Sequence, residues 1–160
     1  MSTTSQNGSP TDAKAPGLGI LGQYVKDFSF ENPNAPQSLM TQPEQPPAVD
    51  VQINVNAKPM SETDYEVELK VEVKAEDKKA GRKLFLLEVA YAGVFRITNV
   101  PKEAVQPLVL IECPRLLFPF VRRIVADAIS EGGFPPIMLQ PVDFAALYRA
   151  RAESATTTKS

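Results

Sequence analysis

Histidine and tryptophan are missing from this 160-residue chain, and cysteine occurs once, at Cys113. Without histidine the chain supplies no Ser-His-Asp or Cys-His nucleophile system and no His-ligated metal site. A lone cysteine closes no intrachain disulfide, which fits a reducing compartment. A basic excess is lacking too. The 17 Lys and Arg stand against 19 Asp and Glu, a net charge of −2, whereas a nucleic-acid footprint calls for a basic patch. No stretch approaches the roughly 18 apolar residues of a membrane span. The opening Met-Ser-Thr-Thr-Ser-Gln-Asn-Gly has neither the basic nor the apolar region of a signal peptide. Gly-rich phosphate loops and nucleophile elbows are also missing. The expectation is a soluble, cytoplasmic protein with no cofactor, no metal, no nucleic-acid partner and no membrane insertion.

What is present is a succession of strand patterns. Tyr24–Phe30 alternates, with Tyr24, Phe28 and Phe30 expected on one face and Asp27, Ser29 and Glu31 on the other. The Pro-rich run from Asn32 to Pro47 follows, and each proline there removes a donor and biases its predecessor away from helix. It reads as an ordered crossover loop. Val49–Ala57 alternates again, and Tyr65–Ala75 sets Val67, Leu69, Val71 and Val73 against Glu66, Glu68, Lys70 and Glu72. Glu76–Gly81 reads as a hairpin turn with Gly81 available for positive φ. Leu84–Ile97 is apolar on both faces, with Leu86, Glu88 and Ala90 on one and Phe85, Leu87, Val89 and Tyr91 on the other. Two apolar faces need two covers, and a chain this short supplies one layer of helices. A second copy of the chain is the simplest other cover.

Beyond Pro101 the period changes. Glu103–Cys113 reads as short helical or irregular. Leu117, Val121, Ile124, Val125, Ala128 and Ile129 then recur at three- and four-residue spacing, a wide helical stripe. Gly132-Gly133 fits a helix end, Phe134–Leu139 an apolar loop, and Pro141-Val142-Asp143 the start of a last helix. Four strands followed by helices predict an α+β fold, a four-stranded antiparallel sheet with C-terminal helices on one face. Residues 1–18 read as a disordered arm, 19–152 as one domain and 153–160 as a disordered tail.

Two surfaces stand out. Asp27, Glu31 and Glu88 lie among small or apolar neighbours, Leu86 and Ala90, and read either as a solvated sheet face or as a docking surface for a basic partner. Tyr24, Phe28, Leu39, Met40, Phe144, Leu147 and Tyr148 read either as core and covered loop or as an adaptable apolar groove. Carboxylates are plentiful, so a small α+β enzyme or ligand-binding domain using the acidic face is the rival from another class.

Several motifs resemble one family in order and spacing over about Tyr24–Tyr148. They are Phe28-Ser29-Phe30-Glu31-Asn32-Pro33-Asn34-Ala35-Pro36, Glu88-Val89 with Gly93-Val94-Phe95, Cys113-Pro114-Arg115-Leu116-Leu117-Phe118-Pro119-Phe120, and Gly133-Phe134-Pro135-Pro136 through Pro141-Val142-Asp143-Phe144. The family is SecB, the bacterial protein-export chaperones. The resemblance implies an ATP-independent holdase and not an enzyme, assembled as a homotetramer (a dimer of dimers), that binds unfolded precursor proteins and passes them to the SecA motor. It places Asp27, Glu31, Leu86 and Glu88 at the SecA-docking surface. It places Leu87, Val89 and Tyr91 where family members are sensitive for tetramer assembly. Groove residues carried over are Leu39, Met40, Val49, Val51, Ile53, Phe144 and Tyr148, joined by Tyr24, Phe28 and Leu147 from the residues alone. A general or toxin-antitoxin chaperone on the same scaffold is the alternative.

Overall fold

In the computed structural model, which describes residues 15–158, four antiparallel strands form one sheet in the order β1-β4-β3-β2. They are β1 (Gly17–Glu31), β2 (Ala48–Pro59), β3 (Asp64–Asp77) and β4 (Arg82–Thr98). The strands with the most buried residues, β3 and β4, are central. Their register sets Val71 opposite Val89 and Val73 opposite Leu87 on one face, and Glu72 opposite Glu88 on the other. The β3–β4 hairpin turns at Gly81, whose φ of 63° suits glycine as expected.

The first strand departs from simple alternation. Its pairing with β4 shifts register between Ile20 and Gly22 and again between Val25 and Asp27, leaving Leu21 and Lys26 as bulged residues. Each extra residue reverses the side to which later side chains point. Phe28 and Phe30 therefore oppose Val89 and Leu87 on the helix side, while Tyr24 opposes Ala92 on the outer side. The expected common face for Tyr24, Phe28 and Phe30 is corrected by the Lys26 bulge.

The segment boundaries shift at both ends. Gly17 and Leu18 belong to β1, so that part of the expected arm is sheet, and residues 1–14 lie outside the described residues. The last helix runs from Phe144 to Thr158, so the expected tail from residue 153 is helical over six residues and only 159–160 lie outside the description. The crossover carries a single helical turn, α1 (Gln37–Met40), and Asn34 Nδ2 donates to the Lys83 carbonyl to tie it to the β3–β4 hairpin.

After β4 come α2 (Lys102–Pro107), a π-helical turn (Leu108–Glu112) and α3 (Cys113–Glu131) in one continuous run. Pro114 lacks an N–H and its ring crowds the carbonyl four residues back, so an ordinary turn is unfavourable there. The wider turn relieves this: the Cys113 N–H bonds to the Leu108 carbonyl, five residues back. Leu117, Val121, Val125 and Ile129, four apart, are fully buried, and α3 packs on β3 and β4. Lys102–Glu131 as a whole is long and apolar enough by length and composition to cross a membrane, which the expectation of no such run had missed. Its apolar stripe is already engaged by the sheet. The final helix, α4 (Phe144–Thr158), is capped by Asp143, whose Oδ1 accepts the Ala146 N–H at 3.0 Å, and packs on the π turn.

Candidate functional site

Because α3 covers β3 and β4, the helix side of the edge strand β2 is left to α2, the π turn and α4. Those elements stand off from β2 and enclose two adjoining cavities of about 880 and 280 Å³. Leu110, Tyr148 and Arg151 line both. Tyr65, Val105 and Val109 add apolar wall to the larger, and Ile53, Val55 and Leu147 to the smaller. One guanidinium N–H of Arg151 is donated to the Val55 carbonyl and fastens α4 to β2. An open trough of aromatic and aliphatic side chains beside an edge strand suits an extended chain with apolar side chains.

The opposite face of the sheet carries charge in two unlike halves. Towards the C-terminal end of β4 the charges are compensated: Lys26 lies 2.8 Å from Glu66 and 3.6 Å from Glu68, and Arg96 holds Asp64 at 2.8 Å. The Tyr24 hydroxyl also donates to Glu66. The Lys26 and Tyr24 hydrogen bonds hold the Glu66 carboxyl below its ordinary pKa, and the Tyr24 phenol is raised by the same bond. Towards the other end, Asp27, Glu31 and Glu88 are exposed, and none makes an ion pair among the described residues. A shallow cavity of about 230 Å³ lies there, floored by Ala90 and bounded by Asp27, Glu72, Glu88 and Lys70. Three carboxylates and one ammonium line it, and Lys74 lies 3.9 Å from one of them, Glu72.

A family model described as "Preprotein translocase subunit SecB" matches residues 11–155. The chain belongs to the SecB family. The "Protein-export protein SecB" of Azorhizobium caulinodans is 60% identical over 147 residues, covering 92% of this chain and 90% of its own. That of Nitrobacter winogradskyi is 61% identical over 151 residues, covering 94% and 93%. Among solved structures, a SecB-like chaperone of Mycobacterium tuberculosis, in complex with a peptide from an antitoxin, superposes with a TM-score of 0.65 at 14% identity over 82% of this chain and 93% of its own, a likeness of fold. The α+β architecture is the family's, and the role is that of a chaperone in protein export.

Within the chain the groove residues expected from sequence divide. Ile53, Leu147 and Tyr148 line the trough. Phe144 does not: it is 1% exposed and packs edge-on against Phe118 in the core. Val49 and Val51 are exposed further along β2, and Leu39 and Met40 are exposed on the crossover. Phe28 lies on β1, three strand spacings or about 14 Å from β2. Tyr24 is on the other side of the sheet altogether, with Glu66. Asp27, Glu31, Leu86 and Glu88 do share the outer face, in consecutive register rows. Leu87, Val89 and Tyr91 are all under 9% exposed within the chain, on the helix side of the sheet. Tyr91 stacks on the exposed ring of Phe120, 6.1 Å between centroids. Sequence reasoning missed Tyr65, Val105, Val109 and Leu110. The spacing 105, 106, 109, 110 within Glu103–Cys113, the segment that reads as short helical or irregular, is the available signal.

Proposed function

We propose that this chain holds unfolded precursors of exported proteins in the trough between β2, the π turn and α4. The observation that carries the reading is the trough itself, a groove of mixed aromatic and aliphatic walls that the protomer leaves unfilled. Burial of nonnative apolar surface is favourable by about 25 cal/mol per Å². Holding therefore requires no nucleotide and no catalytic group. Reversible contacts in several grooves of one assembly reinforce each other through effective concentration.

The assembly in this reading is a homotetramer, a dimer of dimers, working in the cytoplasm. Exposed Leu18, Ile20, Val25 and Phe28 on β1, with Leu116 and Phe120 on α3, supply the apolar surface for self-association. Delivery to SecA uses the outer face, where Asp27, Glu31 and Glu88 surround Leu86 and Ala90. Titrating a purified unfolded precursor and SecA separately against the protein, without ATP, tests both halves. The reading expects two independent binding events, and a protein that binds neither partner contradicts it.

A further inference from the structure

The outer face of the sheet holds two of its lysines away from its exposed acids. Lys70 lines the shallow depression with Asp27 and Glu88, and Lys26 precedes Asp27 in the chain. The bulge at Lys26 leaves both it and Asp27 on the outer side, where Lys26 meets Glu66 and Glu68 while Asp27 lines the depression. Either ammonium would neutralise Asp27 or Glu88 if it turned to them, and among the described residues neither does. Lys26 Nζ lies 2.8 Å from Glu66 Oε1 and 3.6 Å from Glu68 Oε2, and Lys70 Nζ lies 3.6 Å from Glu68 Oε1. Glu68 thus takes one lysine on each oxygen, and Glu66 takes Lys26 on one and the Tyr24 hydroxyl on the other. To reach β3 from β1, the Lys26 and Tyr24 side chains cross β4 over Ala92, which is fully buried although it is on the outer face. The side chains of Glu66 and Glu68 are 16% and 14% exposed, so water screens their pull on an ammonium less than that of the exposed Asp27, Glu31 and Glu88.

From this, and resting on the reading that the outer face docks a basic partner, we propose that Glu66 and Glu68 are positioning residues for docking. They retain Lys26 and Lys70, so that Asp27, Glu31 and Glu88 meet the partner unneutralised. Both act through the lysines and do not touch the partner. Removing their charge frees ammonium groups beside Asp27 and Glu88, where they compete with the partner's own cations. Both lysines are solvent-exposed, so the effect is modest and falls as salt screens it.

The test uses the full chain and purified SecA, titrated at low salt. Glu66→Gln combined with Glu68→Gln is expected to bind about fivefold more weakly than the parent. That difference is expected to shrink towards none in about 0.5 M salt. Adding Lys26→Gln to the double variant is expected to restore the affinity to within about twofold of the parent, which a local loss of packing would not allow. Adding Lys58→Gln instead makes the same change of charge on the outer face, opposite Glu66 and further from Asp27, and is expected to restore none of it. Unchanged affinity in the double variant, no recovery with Lys26→Gln, or an equal recovery with Lys58→Gln overturns the proposal. Should the double variant melt well below the parent, Glu68→Gln alone, expected to lose about twofold, decides in its place. Failure of the parent protein to bind SecA removes the docking reading itself, and this inference with it.

Discussion

Glu72 and Glu88 stand directly opposite one another on the outer face of the β3–β4 pair, with Lys74 3.9 Å from Glu72 and, among the described residues, no cation paired with Glu88. Like charges set across a sheet oppose pairing by a few tenths of a kcal/mol up to about 1. The cost falls on folding, while the exposed carboxylate is available to a partner. Replacing Glu88 by Lys turns the repulsive pair into an attractive one. The variant is expected to melt no lower than the parent, to keep its affinity for unfolded precursor, and to lose SecA binding. Calorimetry and two titrations check this, and a loss confined to precursor binding contradicts it.

A second prediction concerns Tyr91 and Phe120. Tyr91 is buried and Phe120 nearly half exposed, so the two rings of one stack act at different levels. Phe120→Asp is expected to leave the protomer folded, within about 1 kcal/mol, and to shift the assembly to smaller species in sedimentation. Tyr91→Ala is expected to cost about 3–5 kcal/mol of protomer stability through the cavity it leaves. If Phe120→Asp sediments like the parent protein, α3 is not an assembly surface.

The parts of this fold legible in the sequence are those where one period governs. The alternation of Tyr65–Ala75 and the four-residue spacing of Leu117, Val121, Val125 and Ile129 name their buried faces directly. Asp27, Glu31, Leu86 and Glu88, the residues proposed for docking, share a face because the β1–β4 register from Asp27 to Glu31 is unbroken. Tyr24 was misplaced because a single bulged residue, Lys26, separates it from Phe28, and a bulge leaves no mark in apolar alternation. The trough wall at Val105–Leu110 was hidden for a related reason. Pro107 and the π turn before Pro114 break the 3.6-residue period that identifies a helix.

Cys113 offers a third test. Burial, reinforced by the adjacent Glu112, pushes its pKa up to about 12. The native thiol therefore keeps its proton to far higher pH than the unfolded one, and the nucleophilic thiolate is scarce. A thiol-specific chromogenic reagent at pH 8 is expected to react at least 100-fold more slowly with the native protein than after denaturant is added. Above pH 9 the unfolded state ionises first, so stability is expected to decline as pH rises from there towards 12. Rapid labelling of the native protein contradicts the buried placement.

The Glu66 cluster gives a fourth. Its carboxyl is held low first by the Lys26 hydrogen bond and then by that of Tyr24. A depressed carboxylate stabilises the fold above its unfolded pKa and ceases to do so as pH falls through the folded one. Lys26→Ala is expected to raise the Glu66 titration midpoint, and Tyr24→Phe to raise it less, as followed by side-chain carboxyl NMR. An unmoved midpoint in Lys26→Ala contradicts the assigned contact.

The central claim is that unfolded chain is held in the trough between β2, the π turn and α4. The most direct measurement is the affinity of a denatured precursor, without ATP, for the parent protein, for Leu110→Gln combined with Tyr148→Ala, and for Tyr24→Ala. Leu110 and Tyr148 line both cavities, and Tyr24 lies across the sheet. The expected result is a loss of about tenfold or more in the first variant, whose melting is checked in parallel, and a change of less than twofold in the second. Full affinity in the folded Leu110–Tyr148 variant, or a loss confined to Tyr24→Ala, would contradict it.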